Sequence, residues 1–515
     1  MTERDLEQQE RAAELEGRCI IDMDTAREQA TWYSVVNTIA LCLGSGMGIP
    51  LNESDAQNIF DMIGVSPDNL PLKNPQLLKA FWKSGDPHLM RDFSERDLGT
   101  WRWNPDSFDR TLVPQAQGWP IIAECECAKW FAVPQEAEVL PADFRNEWRI
   151  NGLLLATIAR LQCNFAFENL RNNRGLFAMQ AQPGSVQITD ANANLEDQAC
   201  MLWACSDVAM LAAGEGANAI YKSPDVNRKF INLANELFEA IDANKDSLLE
   251  NSSNPILGQS VAIEALIWFA CTSDAQDLRA RSLWMLREFA DNLVRAQEKS
   301  EMVGNTLIDA CSALRALIEA FRVTRVKTYA QTAAKIFDYV ESQWWQAPAE
   351  TYAPSPFASE YTFNADDVGQ ILGALNETRL FLRARANSRL AELRLREFFC
   401  NVVNLSGFQM SMPSTNFMPQ WLRDREPSEH FRSGSIPLPS QANGEHGIAP
   451  VMAGEIGYDV QSDTWSRRMI FDTPAAMHTC CEMIWINCNV VNGFPEIRLE
   501  EAPLAVRQAA GVEAT

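Results

Sequence analysis

The pair with the clearest chemical potential in the sequence is His478 and Glu482, four residues apart in a segment that reads as a helix. Side chains at this spacing lie on one helical face. An imidazole and a carboxylate in contact can act as a general base with its orienting partner. They can also supply two ligands of a metal ion, for which His446 or Glu455 would have to provide a third. A hydrogen-bonded structural pair is the alternative reading.

The same helical face continues through Trp485 to Asn489. A tryptophan among polar groups is typical of a surface that packs against a sugar ring. A second, apolar stripe of this helix runs through Met477, Cys481 and Ile484 and predicts which side packs against another helix. We therefore expect His478, Glu482 and Trp485 to face an internal cavity, with Trp485 contacting substrate.

Acidic residues at predicted helix starts form the second group of candidates. Asp366 and Asp367 open one helix, and Asp472 precedes Pro474 at the start of another. Aspartate is a favoured helix cap, which explains one carboxylate at each start. The Asp366–Asp367 pair offers one carboxylate more than a cap needs, so we count these three aspartates as candidate catalytic residues.

Long helical patterns with short turns fill the chain from about residue 144. The predicted helices span 144–170, 196–214, 223–243, 258–273, 276–297, 304–323, 326–345, 364–383, 387–405 and 473–490. Strand signals are few, and EIGYDV with WSRRMIF predicts a single hairpin. The sequence therefore predicts an all-α fold.

The helices repeat as pairs in which an alanine- and leucine-rich helix is followed, after a short polar turn, by a bulkier one. Examples are EALIWFACTSDAQDLRARSLWMLREFADNLV and SALRALIEAFRVTRVKTYAQTAAKIFDYVES. Such pairs bury each other's faces by stacking. The pattern over about 144–490 resembles the (α/α)6 toroids of the six-hairpin-glycosidase-like superfamily, in which the first helix of each pair lines a ring. An open α-solenoid is the alternative.

The resemblance implies a carbohydrate-active enzyme of hydrolase, lyase or epimerase type, with a cleft at the rim formed by the N-termini of the inner helices. No catalytic motif of the superfamily is present. Longer connections at 346–363 and 406–472 would meet at that rim. We count Tyr361, Trp421 and His446 from these connections as candidate substrate contacts. The alternative function is a helical scaffold that binds a protein partner at the rim.

We divide the chain into an irregular, partly helical region at 1–143, a ring domain at 144–499 with a lid at 406–472, and a tail at 500–515. Residues 98–120 carry several tryptophans without a helical period, and we expect them to lie as a strap on the ring.

Composition limits the partners. The net charge is −24, from 68 acidic and 44 basic residues, which disfavours nucleic acid and anionic membranes. Four histidines are too few for a histidine-rich metal centre, and GSGMG at 44–48 lacks the lysine of a phosphate-binding loop, so no metal or cofactor is expected. Thirteen cysteines, many in apolar helical runs, suggest packed thiols and a cytoplasmic protein.

Overall fold

The computed structural model describes residues 20–66, 70, 75–90, 102–136, 142–182, 186–300, 302–353, 358–382, 385–411 and 447–487. Thirteen α-helices lie in these ranges: α1 (Met23–Ile39), α2 (Glu53–Ile63), α3 (Gln115–Glu136), α4 (Ala142–Asn169), α5 (Leu195–Ala213), α6 (Pro224–Glu250), α7 (Pro255–Thr272), α8 (Gln276–Lys299), α9 (Leu307–Thr324), α10 (Lys327–Gln343), α11 (Ala365–Phe381), α12 (Arg385–Phe398) and α13 (Thr473–Ile486). The predicted all-α class is confirmed.

Short antiparallel strands join the helices. They are β1 (Gly48–Pro50), β2 (Leu78–Phe81), β3 (Ser84–Gly85), β4 (Gln180–Gln182), β5 (Gln187–Asp190), β6 (Trp345–Gln346), β7 (Thr351–Tyr352), β8 (Glu360–Asn364), β9 (Glu455–Asp459), β10 (Thr464–Arg468) and β11 (Phe471–Asp472). β9 and β10 form the predicted hairpin, and β8 extends it to three strands. This sheet joins the two long connections that we expected at one rim.

Six helices form the inner wall of a closed ring. Each packs against the next in the order α3, α5, α7, α9, α11 and α13, and α13 packs back against α3. The outer helices α4, α6, α8, α10 and α12 each pack against the inner helix that precedes them. The ring of six hairpins is the (α/α)6 architecture, and the open solenoid does not form.

The sixth hairpin joins the two ends of the described chain. α1 packs along α13 as its outer partner, and the Ser34 hydroxyl donates to the Cys480 carbonyl over 2.6 Å. α1 and α3 both precede residue 143 and both belong to the ring. The domain boundary that we expected at residue 143 would therefore divide the ring. We expected residues 115–120 to be part of the strap, but they form the start of α3. This helix is buried on nearly every side, so its sequence shows no amphipathic period.

The inner helices start with side-chain caps. Five N-cap side chains accept a backbone N–H of the first turn, and they are Asn194, Asn254, Thr306, Asn364 and Asp472. The outer helices α6, α8 and α10 begin without such a bond. Polar and acidic residues are thereby concentrated at the inner-helix N-termini, which form one end of the ring.

Within the described ranges, two helices are long and apolar enough to cross a membrane by composition alone: Trp148–Asn169 within α4, and α7. Over half of each apolar window is buried inside the ring, at 56% and 72%, as expected for core helices.

Ten cysteines of the described residues are free thiols, all buried except Cys271, whereas Cys400 is disulfide-bonded. Cys400 thus departs from the expectation of packed thiols alone.

Candidate functional site

A cavity of about 490 Å³ opens at the end of the ring where the inner helices begin. Its wall includes the starts of α3, α5, α11 and α13, together with parts of β3, β9 and β10. The charged side chains that line it are Lys83, Asp109, Glu196, Asp366, Glu455, Arg468 and Asp472. Five carboxyl groups therefore share one cavity with two cations.

The two aspartates at the start of α11 have separate tasks. Asp367 forms a capping box with Asn364: its backbone N–H donates to Asn364 Oδ1, and its carboxylate accepts the Asn364 N–H, both over 2.9 Å. Burial, and then the neighbouring carboxylate of Asp366, raises the pKa of Asp367 to about 7. Asp366 has no part in this cap and lines the cavity with 31% of its side chain exposed.

Asp472 caps α13 and lines the same cavity. Its Oδ1 accepts the Ala475 N–H over 3.1 Å, and β11 holds it opposite Ser84 of β3. The pairing brings Lys83 close, because the Thr473 N–H donates to the Lys83 carbonyl over 2.9 Å. Burial raises the pKa of Asp472, the capping bond and Lys83 oppose the rise, and Asp366 adds to it.

Glu196, at the start of α5, is a cavity residue that we did not select from the sequence. Burial raises its pKa to about 8, and the charges of Asp197 and Asp366 add to the rise. The signal was present: Asn194-Leu-Glu-Asp197 repeats the pattern of Asn364-Ala-Asp-Asp367. At both starts the last aspartate completes the cap, and the acidic residue before it lines the cavity.

His478 lies beneath the cavity floor. Its side chain is 1% exposed and is not among the groups that line the cavity. Nδ1 is 2.7 Å from Asp366 Oδ1, and Nε2 is 3.1 Å from Glu482 Oε1. The ring packs against Trp119 with centroids 4.5 Å apart. The predicted contact between His478 and Glu482 is present, but the pair is closed off from the cavity by Asp366.

Glu482 continues this row of charges into the ring. Its carboxylate accepts from Arg315 of α9, and Arg315 also donates to Glu264 Oε2 of α7 over 2.5 Å. All three side chains are at most 5% exposed. Arg315 thus lies between two carboxyl groups, which compensates the cost of burying its charge.

Aromatic rings fill the space where we expected a hydrated cavity. Trp485 stacks on Trp203 with centroids 5.4 Å apart, Trp203 lies edge-on to Trp119, and the Arg315 guanidinium lies over Trp485 at 5.4 Å. Trp485 is 8% exposed and is absent from the cavity wall. The side of α13 that carries His478, Glu482 and Trp485 packs into a filled core.

The other predicted contacts lie apart from the cavity wall or outside the described residues. Tyr361 of β8 packs against Tyr458 with ring centroids 5.7 Å apart and is 5% exposed. Trp421 and His446 fall in the part of the chain that the structure does not describe. Within the described ranges, no three or more His, Cys, Asp or Glu side chains converge as a metal site.

No family model matches the sequence, and no curated protein matches it. Among solved structures, a D-mannose isomerase is similar with a TM-score of 0.46 and 10% identity, covering 84% of this chain and 98% of that one. A cellobiose 2-epimerase from Bacillus thermoamylovorans gives 0.44 and 10%, covering 79% and 92%. The cellulase Cel9M of C. cellulolyticum with cellobiose gives 0.46 and 11%, covering 89% and 97%. These likenesses are distant, and the ring described above stands on its own contacts.

Proposed function

We propose that this chain is a carbohydrate-active enzyme of the hydrolase type that works in the cavity at the inner-helix rim. The observation that carries the proposal is the convergence of Glu196, Asp366 and Asp472 from three inner helices on one cavity. Hydrolysis of a glycosidic bond needs two carboxyl groups in different protonation states beside the scissile bond. Residues on helix starts are held rigidly enough for that geometry.

Glu196 is the general acid in this proposal. A pKa of about 8 keeps its carboxyl group protonated at neutral pH, ready to donate to the leaving oxygen. An ionised aspartate on the cavity wall, Asp366 or Asp472, then attacks the anomeric carbon or removes a proton from the attacking water. In the nucleophilic route, water then cleaves the glycosyl–aspartate bond and Glu196 recovers its proton from that water. In the direct route, the aspartate takes the water proton and solvent returns one to Glu196, so in both routes the net change is the addition of one water across the glycosidic bond.

The buried position of His478 argues against epimerisation with this histidine as base. A general base must come within hydrogen-bond distance of the proton that it removes. Both ring nitrogens of His478 face carboxylate oxygens, and Asp366 lies between the imidazole and the cavity. A base that cannot reach a sugar carbon cannot start the reaction, so we favour acid and base catalysis by carboxyl groups.

The general-acid role is tested with Glu196→Gln on a panel of aryl glycosides and oligosaccharides. Loss of a general acid lowers kcat by about 10²–10⁴-fold. The loss should be large for substrates with poor leaving groups and small for dinitrophenyl glycosides, which need little protonation. Asp366→Asn and Asp472→Asn, in contrast, should reduce turnover of both kinds of substrate if the changed residue is the base.

Asp277→Asn is the matched control, because Asp277 lies in the first turn of the outer helix α8 and outside the cavity wall. Its activity should equal that of the wild type. The proposal fails if no glycoside is cleaved, or if Glu196→Gln leaves kcat for poor leaving groups unchanged. A protein that cleaves nothing and instead binds a partner at the rim would support the scaffold alternative.

A further inference from the structure

The outer helices α6 and α8 pack against each other on the outside of the ring and leave a groove between them. The groove has a volume of about 540 Å³, which is in the range of small-ligand sites. Its wall consists of nine residues, two from α6 and seven from α8, and it shares none of them with the cavity at the rim. The groove is thus a second concave surface, separate from the proposed active site.

Trp284 of α8 lies in this groove and is 58% exposed, the largest value for any large hydrophobic side chain that the structure describes. Every other tryptophan in the described ranges is buried or half-buried. The Arg287 guanidinium lies over the Trp284 ring, 5.4 Å from its centroid. This contact covers one face of the indole and restricts its rotation, so a ligand would stack on the opposite face.

Charged side chains of the groove are held in pairs that cross from one helix to the other. Arg281 donates through Nε to Asp242 Oδ2 over 2.9 Å, and Lys245 Nζ donates to Glu288 Oε1 over 2.7 Å. Carboxylate and guanidinium groups have more hydrogen-bonding positions than one such pair uses. The walls therefore offer donors and acceptors that are already fixed in place, which lowers the cost of ordering them around a ligand.

The composition of the wall indicates the class of ligand. Seven of the nine residues are charged, four of them cationic and three anionic. The centre of a protein interface is depleted in charged residues, so this wall disfavours a protein partner. The charges nearly cancel, although the whole chain carries −24, so neither a strongly anionic nor a strongly cationic ligand is favoured. A neutral molecule with one apolar face and many hydroxyl groups fits these properties.

We propose that the groove between α6 and α8 is a binding site for neutral oligosaccharides, with Trp284 as its stacking platform. The C–H groups on one face of a pyranose ring pack against the indole, whose electron-rich face attracts them. The hydroxyl groups around the sugar ring exchange hydrogen bonds with the charged side chains of both walls. The site binds a sugar chain on the outside of the ring, whether or not the rim cavity cleaves that chain.

Isothermal titration calorimetry of the full chain with neutral hexasaccharides of glucose, mannose and xylose tests the site. The protein carries Glu196→Gln, so that cleavage at the rim does not consume the ligand. Adding Trp284→Ala should weaken binding of one of these sugars at the groove by about tenfold or more, as for other aromatic hot spots. Trp284→Phe keeps an aromatic face and should retain most of the affinity. Met62→Ala is the matched control, because Met62 is 57% exposed on α2 but lies outside both cavities.

The number of sites separates this proposal from the proposed function. Two sites per chain, of which Trp284→Ala removes one, support both proposals. A single site that Trp284→Ala removes supports the groove and counts against sugar binding at the rim. Binding that Trp284→Ala leaves unchanged, or no binding of any of the three sugars, overturns the groove proposal. Trp284-dependent self-association in sedimentation velocity, or groove binding of uronic-acid or amino-sugar oligomers alone, also overturns it.

Fluorine NMR of protein labelled with fluorotryptophan observes the proposed platform directly. The signal that is missing from Trp284→Ala identifies this residue. Addition of the hexasaccharide that binds should shift this signal, because a sugar ring replaces water on the indole face. A signal that stays in place while the sugar binds would locate the binding elsewhere and refute the proposal.

Discussion

Buried carboxyl groups give single residues of this ring a direct effect on its stability. Glu124 of α3 is fully buried, and its Oε1 accepts from Gln162 Nε2 over 3.2 Å. Burial raises the pKa of Glu124 from 4.5 to about 8. Between these two pH values the folded chain keeps a proton that the unfolded chain releases. Stability from this group is therefore full below pH 4.5 and is lost as the pH rises through about 8.

Glu124→Gln should remove this dependence, because the amide is neutral at every pH. We expect the variant to match the wild type at pH 5 and to exceed it at pH 8 by about 1 kcal/mol or more, since one pKa unit corresponds to about 1.4 kcal/mol. Urea unfolding at both pH values measures the difference. Equal stability at pH 8 would mean that Glu124 is ionised in the folded state.

The sequence indicated the helix caps, but not the contacts that join one hairpin to another. Asp367 and Asp472 were recognisable as helix caps, because capping depends on residues three positions apart. The contact between Asp366 and His478, and the bond between Glu482 and Arg315, join different hairpins of the ring. The spacing of residues within one helix does not encode contacts between hairpins. The caps at the site could therefore be predicted from the sequence, whereas these two contacts could not.

Among elements, α11 and α13 approach closely because two glycines of α11 face the polar row of α13. A Cβ at Gly369 would lie 3.0 Å from His478 Nδ1, and one at Gly373 would overlap Glu482 Oε2. The two glycines are one helical turn apart, as are the side chains that they admit. The two glycines of the GQILG segment therefore leave room for the buried side chains of His478 and Glu482.

Gly373→Ala should displace Glu482 and destabilise the ring by about 1–3 kcal/mol, the usual range for added volume in a packed core. Gly258→Ala in α7 is the matched control, since the nearest atom to its Cβ would be 3.4 Å away. There the gain in helix propensity should leave stability equal or slightly higher. Thermal unfolding of both variants compares them. An unchanged melting temperature in Gly373→Ala would contradict the close approach.

Helix existence was predictable where one face is exposed. α8 and α10 showed their period in the sequence because buried and exposed positions alternate along them. α3 is buried around its circumference and presents no such contrast, so its helix was missed. Pairing of α1 with α13 was equally hidden, because it depends on ring closure and not on neighbouring sequence.

For the whole molecule, α1 is a structural part of the ring. Tyr33 of α1 is fully buried, stacks on Phe399 at 6.2 Å and donates to Asn404 Oδ1 over 2.9 Å. Tyr33→Ala should lower the free energy of unfolding of the entire ring by about 3 kcal/mol or more. Trp284→Ala, on outer helix α8 and 58% exposed, should change it by less than about 0.5 kcal/mol.

Far-UV circular dichroism in urea measures both variants. A lower midpoint for the whole helical signal in Tyr33→Ala is the expected result. If α1 were a detachable strap, the midpoint would stay in place and only hydrogen exchange within α1 would become faster.

The closing hairpin also has a consequence for synthesis. Of the helices described, α1 leaves the ribosome first, whereas its partner α13 leaves last. At about 5–20 residues per second, α1 waits for tens of seconds with its apolar side chains uncovered. Trp32, Val36 and Ile39 are buried in the folded ring, and α13 is the helix on which α1 packs most extensively. Until α13 emerges, the nascent chain carries this hydrophobic surface, and covering it during that interval is a task for a chaperone rather than for the ring itself.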